Sequence, residues 1–386
     1  MKKLNVGMIG GGFMGKAHAL AYAGMPMFFW PAPAIPQRHT VVDVTEELAK
    51  DAAERLGFEN YSSDWRKVVE DPEIDIIDIA VPQAMHCEIA IAAARNGKHI
   101  FCEKPMAMNS GEAMEMLKVC EENKVKHYLN HNYRRLPAVA LAKRLIEENY
   151  VGRIFHWRCS YQQDWIVSPD FPLTWQLRKE TAQAGPQWDL NSHAVDLAHY
   201  LVGRINTVSA LTANFIKERP LAKESTSGNL SAEALQDKKG KVTVEDAALM
   251  MVEFDNGAVG SFEASRFSSG RKNKLSFEIY GSSGSIVFDL ERMNELQCYT
   301  LNDADGSRGF KTILATDGSH PYMDHWWPPG HIIGYEHSFV HAVVDFVKAI
   351  DENQSIKPDF TDGLSIINVL EAGLRAAETG KKIELK

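Results

Sequence analysis

At 386 residues the chain is too long for one ordinary core, and ~100 to 200 residues per domain implies two or three domains. Its 45% apolar and 24% charged content is that of a globular protein, and a formal charge of −9 argues against a nucleic-acid backbone or an anionic membrane surface as partner. A small molecule is expected instead. Five cysteines without a CxxC spacing indicate neither a disulfide framework nor a zinc ribbon. Leu4 to Ile9 is broken by Asn5 and Gly7 and lacks a signal-peptide core, and no stretch reaches the ~18 apolar residues of a membrane span, so a cytoplasmic protein is expected.

Leu4 to Ile9 reads as a buried strand, followed by a glycine turn and a helix from Lys16 to Ala23. Gly10, Gly12 and Gly15 have the GxGxxG spacing, in which glycines allow a tight turn and a close approach to a pyrophosphate; Phe13 and Met14 belong to the same dinucleotide turn. The Pro-rich segment Met25 to Arg38 is not expected in a helix interior and reads as a packed excursion, a wall over the cofactor or a subunit contact. Thr40 to Val44 should be the second strand. Asp43 and Thr45, two apart and so on one side of it, are the candidates for the cofactor ribose. No Lys or Arg follows directly, and Glu46 and Glu47 would repel a 2′-phosphate, so NAD is favoured over NADP.

Helices are expected over Glu46 to Leu56 and from Ser63 to Glu70, and a strand over Asp75 to Val81 that Pro82 ends. His86 lies one turn into the next helical pattern, and Glu88 to Asn96 continues it. His99 to Cys102 then forms a short strand that stops at Glu103, Lys104 and Pro105. A lysine at the carboxyl end of a parallel strand points into the crevice where open α/β sheets bind ligands. A helix over Gly111 to Asn123 and a strand over Val125 to Asn130 complete an alternating series, which predicts a doubly wound parallel sheet. The boundary is therefore placed at 130, with a Rossmann domain over 1–130 and an α+β domain over 131–386 that opens with Tyr133 and Arg134.

In the second half, Ile154 to Tyr161 is strand-like and leads to Tyr161, Gln163, Asp164 and Trp165, which pair aromatic surface with hydrogen-bonding groups as polyol recognition requires. Asp189, His193, Asp196 and Tyr200 share one helical face, and Leu190, Ala194, Leu197 and Leu201 form the stripe beside it. Asp189 also suits an N-cap. Lys217 to Lys241 reads as a mobile connection. Strands over Ala247 to Phe254, Ala258 to Ser265, Lys274 to Tyr280 and Ser285 to Leu290 predict a large, mainly antiparallel sheet with helices on one face and a homo-oligomer contact on the other. His320 to His331 has three histidines but no helical metal-ligand spacing, so no metal is assigned, and Trp326 or Trp327 reads as part of a lid. Gly334 to Ile350 and Thr361 to Thr379 should be helices closing the second domain.

GGGFMG at Gly10 to Gly15, Val81-Pro82 with His86, GKHIFCEKP at Gly97 to Pro105, Asn132 to Arg135, and DLNSHAVDLAHYLVG from Asp189 together resemble the Gfo/Idh/MocA oxidoreductases over the whole length. MPMFFWPAPA, Tyr161 to Trp165 and the ERP at Arg219 are most similar to its levoglucosan and glycoside 3-dehydrogenase branch. The resemblance implies an NAD-dependent dehydrogenase of a secondary ring hydroxyl, C3 foremost, of a sugar or glycoside, with the site between the two domains. It implies catalytic roles for Lys104, Asp189 and His193, cofactor contacts from Pro82, His86, Glu103 and Lys104, and substrate contacts from Lys104, Tyr133, Arg134, Asp164, Trp165, Trp188, Asp189 and His193. It also implies a dimer or tetramer built through the C-terminal sheet. An inositol dehydrogenase, or a nucleotide-sensing regulator without catalysis, would use the same fold. The chemistry suits these residue types: a histidine takes the hydroxyl proton, and a lysine ammonium stabilises the growing alkoxide. Asp189 either orients His193 or binds a neighbouring hydroxyl. Two departures stand out, Trp188 in a turn usually rich in glycine and Thr45 where an acid is common.

Overall fold

The computed structural model describes residues 1–222 and 235–385, which fall into two units. The first comprises Met1–Asn132 with Gly334–Ile367, and the second Tyr133–Ile333 with Asn368–Lys386. The expected continuous second domain is thus interrupted, and one helical segment near the C-terminus returns to the first unit.

The first unit opens with β1 (Lys2–Ile9), α1 (Phe13–Phe28) and β2 (Ala34–Val42), followed by α2 (Glu46–Leu56), β3 (Asn60–Ser62) and α3 (Trp65–Glu70). Then come β4 (Ile76–Ile79), α4 (His86–Arg95), β5 (His99–Cys102), α5 (Ser110–Glu122) and β6 (His127–Leu129). The six strands are all parallel in the order β3-β2-β1-β4-β5-β6, the doubly wound arrangement that alternation of elements predicts. β4 is buried at every residue, as expected of a central strand covered on both faces. Burying each of Ile76, Ile77 and Ile79 contributes about 1.5–3 kcal/mol.

Two expectations fail here. α1 runs on through Pro26 to Phe28, because Gly15, His18, Ala19, Tyr22 and Met25 keep a helical stripe buried that outweighs the hydrogen bond forgone at the proline. β2 begins at Ala34 and ends at Val42, so it holds Pro36 and excludes Asp43 and Thr45. Pro36 is tolerated because β3 pairs only with Thr40 to Val42, leaving that part of β2 an edge. Thr45 instead caps α2, accepting a hydrogen bond from Leu48 N at 3.2 Å, and Gly57 at φ 72° ends that helix.

The second unit contains α6 (Pro137–Glu147), β7 (Ile154–Gln162), α7 (Lys179–Ala182), α8 (Pro186–Asp189), α9 (Asn191–Leu201) and β8 (Ile205–Ala213). The segment expected to be a mobile connection carries an antiparallel pair, β9 (Glu218–Ala222) and β10 (Leu235–Lys241); residues 223–234 lie outside the described residues. β11 (Ala247–Phe254), β12 (Val259–Ser265), β13 (Lys274–Gly281), β14 (Gly284–Asp289), β15 (Glu295–Thr300) and β16 (Lys311–Leu314) follow. Next come α10 (His337–Asp351), which belongs to the first unit, α11 (Phe360–Thr379), inside which the division falls, and β17 (Ile383–Glu384).

Nine strands form the large sheet, in the order β16-β15-β14-β13-β7-β12-β11-β8-β17. It is antiparallel except where β7 runs parallel to β12, the mainly antiparallel sheet that the sequence predicts. β11 alternates buried and exposed residues as a one-sided strand should. α10 joins the first unit because Phe339 and His341 meet His18 and Phe29 ring to ring, and Gly24 lets Val340 close on α1. Among the described residues no helix is long and apolar enough to cross a membrane.

Candidate functional site

In the first unit the glycine turn joins β1 to α1. Gly10 adopts φ +109°, and a Cβ there would stand 2.5 Å from Ala80 O, so only glycine fits. A Cβ on Gly15 would strike Gly10 O, whereas one on Gly12 would meet nothing within 4 Å. The turn is therefore closed beneath and open above. The first turn of α1 has no side-chain cap and no acidic residue, which leaves its amide dipoles for an anionic ligand. Phe13 is 72% exposed beside it, with Met14 half-buried.

Asp43 lies just past β2, and its carboxylate accepts from Gly11 N at 3.3 Å and Val44 N at 2.7 Å. Thr45, spent on its helix cap, no longer shares a strand face with it. Arg55, absent from the sequence-based candidates, donates to Gly11 O at 3.2 Å and pairs with Asp51 at 3.4 Å. Its i,i+4 spacing from Asp51 was visible; its reach to the glycine turn was not. Pro82 ends the β4 segment in the open. His86 is buried with Nδ1 3.0 Å from Pro105 O and Nε2 2.9 Å from Val81 O, and burial lowers its pKa. Its ring thus ties the end of β4 to the Lys104-Pro105 turn.

Lys104 follows β5 as expected, half-buried, with its main-chain N–H on Glu103 Oε2 at 3.1 Å. Glu103 is buried and hydrogen-bonded to His18 and Asn130. Burial opposes its charge, yet His18, Lys104 and Asn130 together hold the carboxyl below its ordinary value.

In the second unit the structure assembles a chain of polar and aromatic groups that sequence periodicity could not join. The helix expected from Asp189 to Tyr200 breaks at Leu190, so Asp189 ends α8 and His193 lies in the first turn of α9. Asp189 is no N-cap; its carboxylate takes Arg266 Nη2 at 2.8 Å. Arg266, 1% exposed, lies 5.2 Å from the ring of Trp165, whose indole N–H donates to Gln163 Oε1 at 2.7 Å. Gln163 donates to Asn273 Oδ1 at 2.8 Å, and Tyr161 donates to the same oxygen at 2.9 Å. The Tyr161 and Tyr133 hydroxyls are 2.8 Å apart, and the Tyr133 ring lies 4.4 Å from that of His193. Asp189, Trp165, Tyr133 and His193 are so brought into one continuous cluster. Arg266 and Asn273 escaped the sequence reading because each follows or precedes a strand by one residue and carries no motif.

Two other candidates are engaged elsewhere, and a third is enclosed. Arg134 forms a buried fork on Asp196, with contacts of 2.6 to 3.0 Å. Asp164 accepts from Lys272 Nζ at 2.7 Å and Gly270 N at 2.9 Å, and these partners keep its carboxyl below the usual range. Trp188 is fully buried. Among the described residues, no group of three or more His, Cys, Asp and Glu is placed to hold a metal ion.

A family model described as an oxidoreductase family with an NAD-binding Rossmann fold matches residues 4–131, and one for the GFO/IDH/MocA C-terminal domain matches residues 139–287. The chain belongs to the Gfo/Idh/MocA oxidoreductase family. Within this family it is 47% identical to levoglucosan dehydrogenase of Pseudarthrobacter phenanthrenivorans over 98% of this chain and 97% of that protein. It is 31% identical to the NAD(+) scyllo-inositol 2-dehydrogenase of Bacillus subtilis over 69% of each. A solved levoglucosan dehydrogenase in complex with NADH and levoglucosan superposes with a TM-score of 0.94 at 46% identity, covering 99% of both chains. The Gfo/Idh/MocA chain described here is accordingly an NAD-dependent dehydrogenase acting on CH–OH donors. Its open Gly12, uncapped α1 and exposed anion-ready helix start suit that cofactor.

Proposed function

We propose that the substrate is a pyranose, glycoside or anhydrosugar of the levoglucosan kind, oxidised at a secondary ring hydroxyl, C3 foremost. The observation that carries this reading is the second-unit cluster, in which the half-buried Trp165 lies beside Asp189, Gln163 and Asn273 and the Tyr133 ring backs His193, aromatic surface next to hydrogen-bonding groups as a polyol needs. The 47% identity with a levoglucosan dehydrogenase supports it. Bound NAD supplies the hydride acceptor. Lys104 holds the hydroxyl oxygen with its ammonium and stabilises the negative charge that grows there, and His193 takes the proton. Asp189 accepts from an adjacent hydroxyl; a carboxylate has about four acceptor sites, so holding Arg266 does not exhaust it. The alcohol loses a hydride and a proton and leaves as the ketone.

Absorbance of NADH formed with levoglucosan, glucose, alkyl glucosides and inositols tests this. Turnover on the pyranose members is expected; turnover on inositols alone would replace it with the cyclitol reading that the scyllo-inositol relative supports. The exposed Leu211, Leu249, Met251 and Val259 on the large sheet, beside a cavity of about 560 Å³, support a homo-oligomer through that face. Light scattering of the purified protein measures it, and a monomer at micromolar concentration would refute it.

A further inference from the structure

Beneath Lys104 the first unit buries a cluster of ionisable side chains to which the proposed reaction gives no proton or hydride step. His18, from α1, has Nδ1 at 2.9 and 3.0 Å from the two Asp78 oxygens and Nε2 at 3.0 Å from Glu103 Oε1. His18 and Asp78 are 0% exposed and Glu103 5%. Tyr22 OH donates to Asp78 Oδ2 at 2.8 Å. Asn130 Nδ2 is 2.7 Å from Glu103 Oε1 and 3.1 Å from His18 Nε2, and the shorter contact is the one with an acceptor at its end. Phe101 and Phe339 wall the imidazole at 5.2 and 5.6 Å between ring centres. The Cys102 thiol, held protonated by burial and by both carboxylates, adds no charge, and the His86 imidazole feels Glu103 from the far side.

A carboxylate only accepts hydrogen bonds, so a neutral imidazole would set a bare ring nitrogen against one of these oxygens. An imidazolium donates at both ends, and it divides two buried anions that could not stand together unshielded. Burial opposes the cation, but Asp78 and Glu103 raise the His18 pKa to about 10. Of the six acceptor contacts so satisfied, the one that matters for chemistry is the last: Glu103 Oε2 receives the main-chain N–H of Lys104.

We propose that His18 is a positioning residue for Lys104: as a buried imidazolium bridging Asp78 and Glu103, it fixes the carboxylate that holds the main chain from which Lys104 projects. The inference rests on the reading of Lys104 as a catalytic group. Two carboxylates and one imidazolium leave a net negative charge beside Lys104.

Nitrogen-15 correlation spectra of the whole histidine-labelled protein at about pH 8.5, well above the ordinary histidine pKa of ~6.5, test the buried cation. One imidazolium signature is expected to persist, and its absence would overturn the proposal, whether or not any variant folds. For His18→Gln, kcat should fall about 10- to 100-fold, the scale on which a supporting residue acts through another. The KM for sugar and the Kd for NADH should stay within about two-fold. For Glu103→Gln, kcat should fall on the same scale, and the double variant should lose no more kcat than either alone, since all three lose one linkage. Unchanged kcat in a folded His18→Gln, or multiplying losses in the double variant, would overturn it. Lys104→Ala run alongside separates the two readings: if it turns over normally the catalytic role of Lys104 fails, whereas a dead Lys104→Ala with an unimpaired His18→Gln sinks only the positioning role.

Discussion

Replacing Arg134 by methionine decides whether this side chain binds substrate, as its place in the NYRR motif implies, or holds the second unit together. The guanidinium is 4% exposed and Asp196 1%, with three N–O contacts of 2.6 to 3.0 Å between them, and the Tyr200 ring lies 4.9 Å beneath. Such a fork is geometrically complete, so deleting one partner leaves a buried charge without its counter-ion and costs about 3–5 kcal/mol. At about 2–4 °C per kcal/mol for a unit of this size, the melting transition should fall by about 6–20 °C. Methionine keeps most of the aliphatic volume, so the loss is electrostatic rather than a cavity. Scanning calorimetry of Arg134→Met, Asp196→Leu and the double variant measures it. Because apolar replacement of both partners removes the stranded charge, the double variant should recover most of the lost stability. A transition within about 1 °C of the parent in Arg134→Met, together with a large rise in KM, would refute this and return Arg134 to the substrate.

Arg266→Met should lower kcat/KM at least tenfold, because Asp189 loses the cation that fixes its carboxylate and Trp165 the charge that its ring faces; steady-state kinetics on the best sugar reads it, and unchanged kinetics would refute the role. Gly15→Ala should lose NADH binding with the shape of the turn, since its Cβ meets Gly10 O, whereas Gly12→Val should fold at the parent's melting temperature and still bind NADH poorly, because its side chain fills only the open side. Calorimetry and NADH fluorescence distinguish the pair. A raised His18 pKa binds an extra proton in the folded state, so its stabilisation is complete below ~6.5 and disappears as pH rises through about 10. The stability difference between the parent and His18→Gln should therefore shrink across pH 7 to 10 rather than grow, as urea unfolding at several pH values would show.

What the sequence determined by itself was whatever depends on short-range pattern. The strand His99 to Cys102 and the helix Glu46 to Leu56 fall where their apolar periods place them, and the glycine turn follows from a backbone only glycine can adopt. These signals are local, and so was the position of Lys104 at a strand end. Tertiary structure decided the rest. Pro26 lies inside α1 because the core pulls on Met25, and Pro36 lies inside β2 because that stretch has no neighbour on its β3 side. The run from Asp189 to Tyr200 has one helical period in sequence but two helices in space, since Asp189 answers to Arg266, 77 positions away. His18 carried no signal beyond its place in a helix; its charge depends on two carboxylates from β4 and the end of β5 that only the folded sheet brings together. Periodicity records which face of an element is buried, but which charge meets which is settled by contacts between residues far apart in the chain.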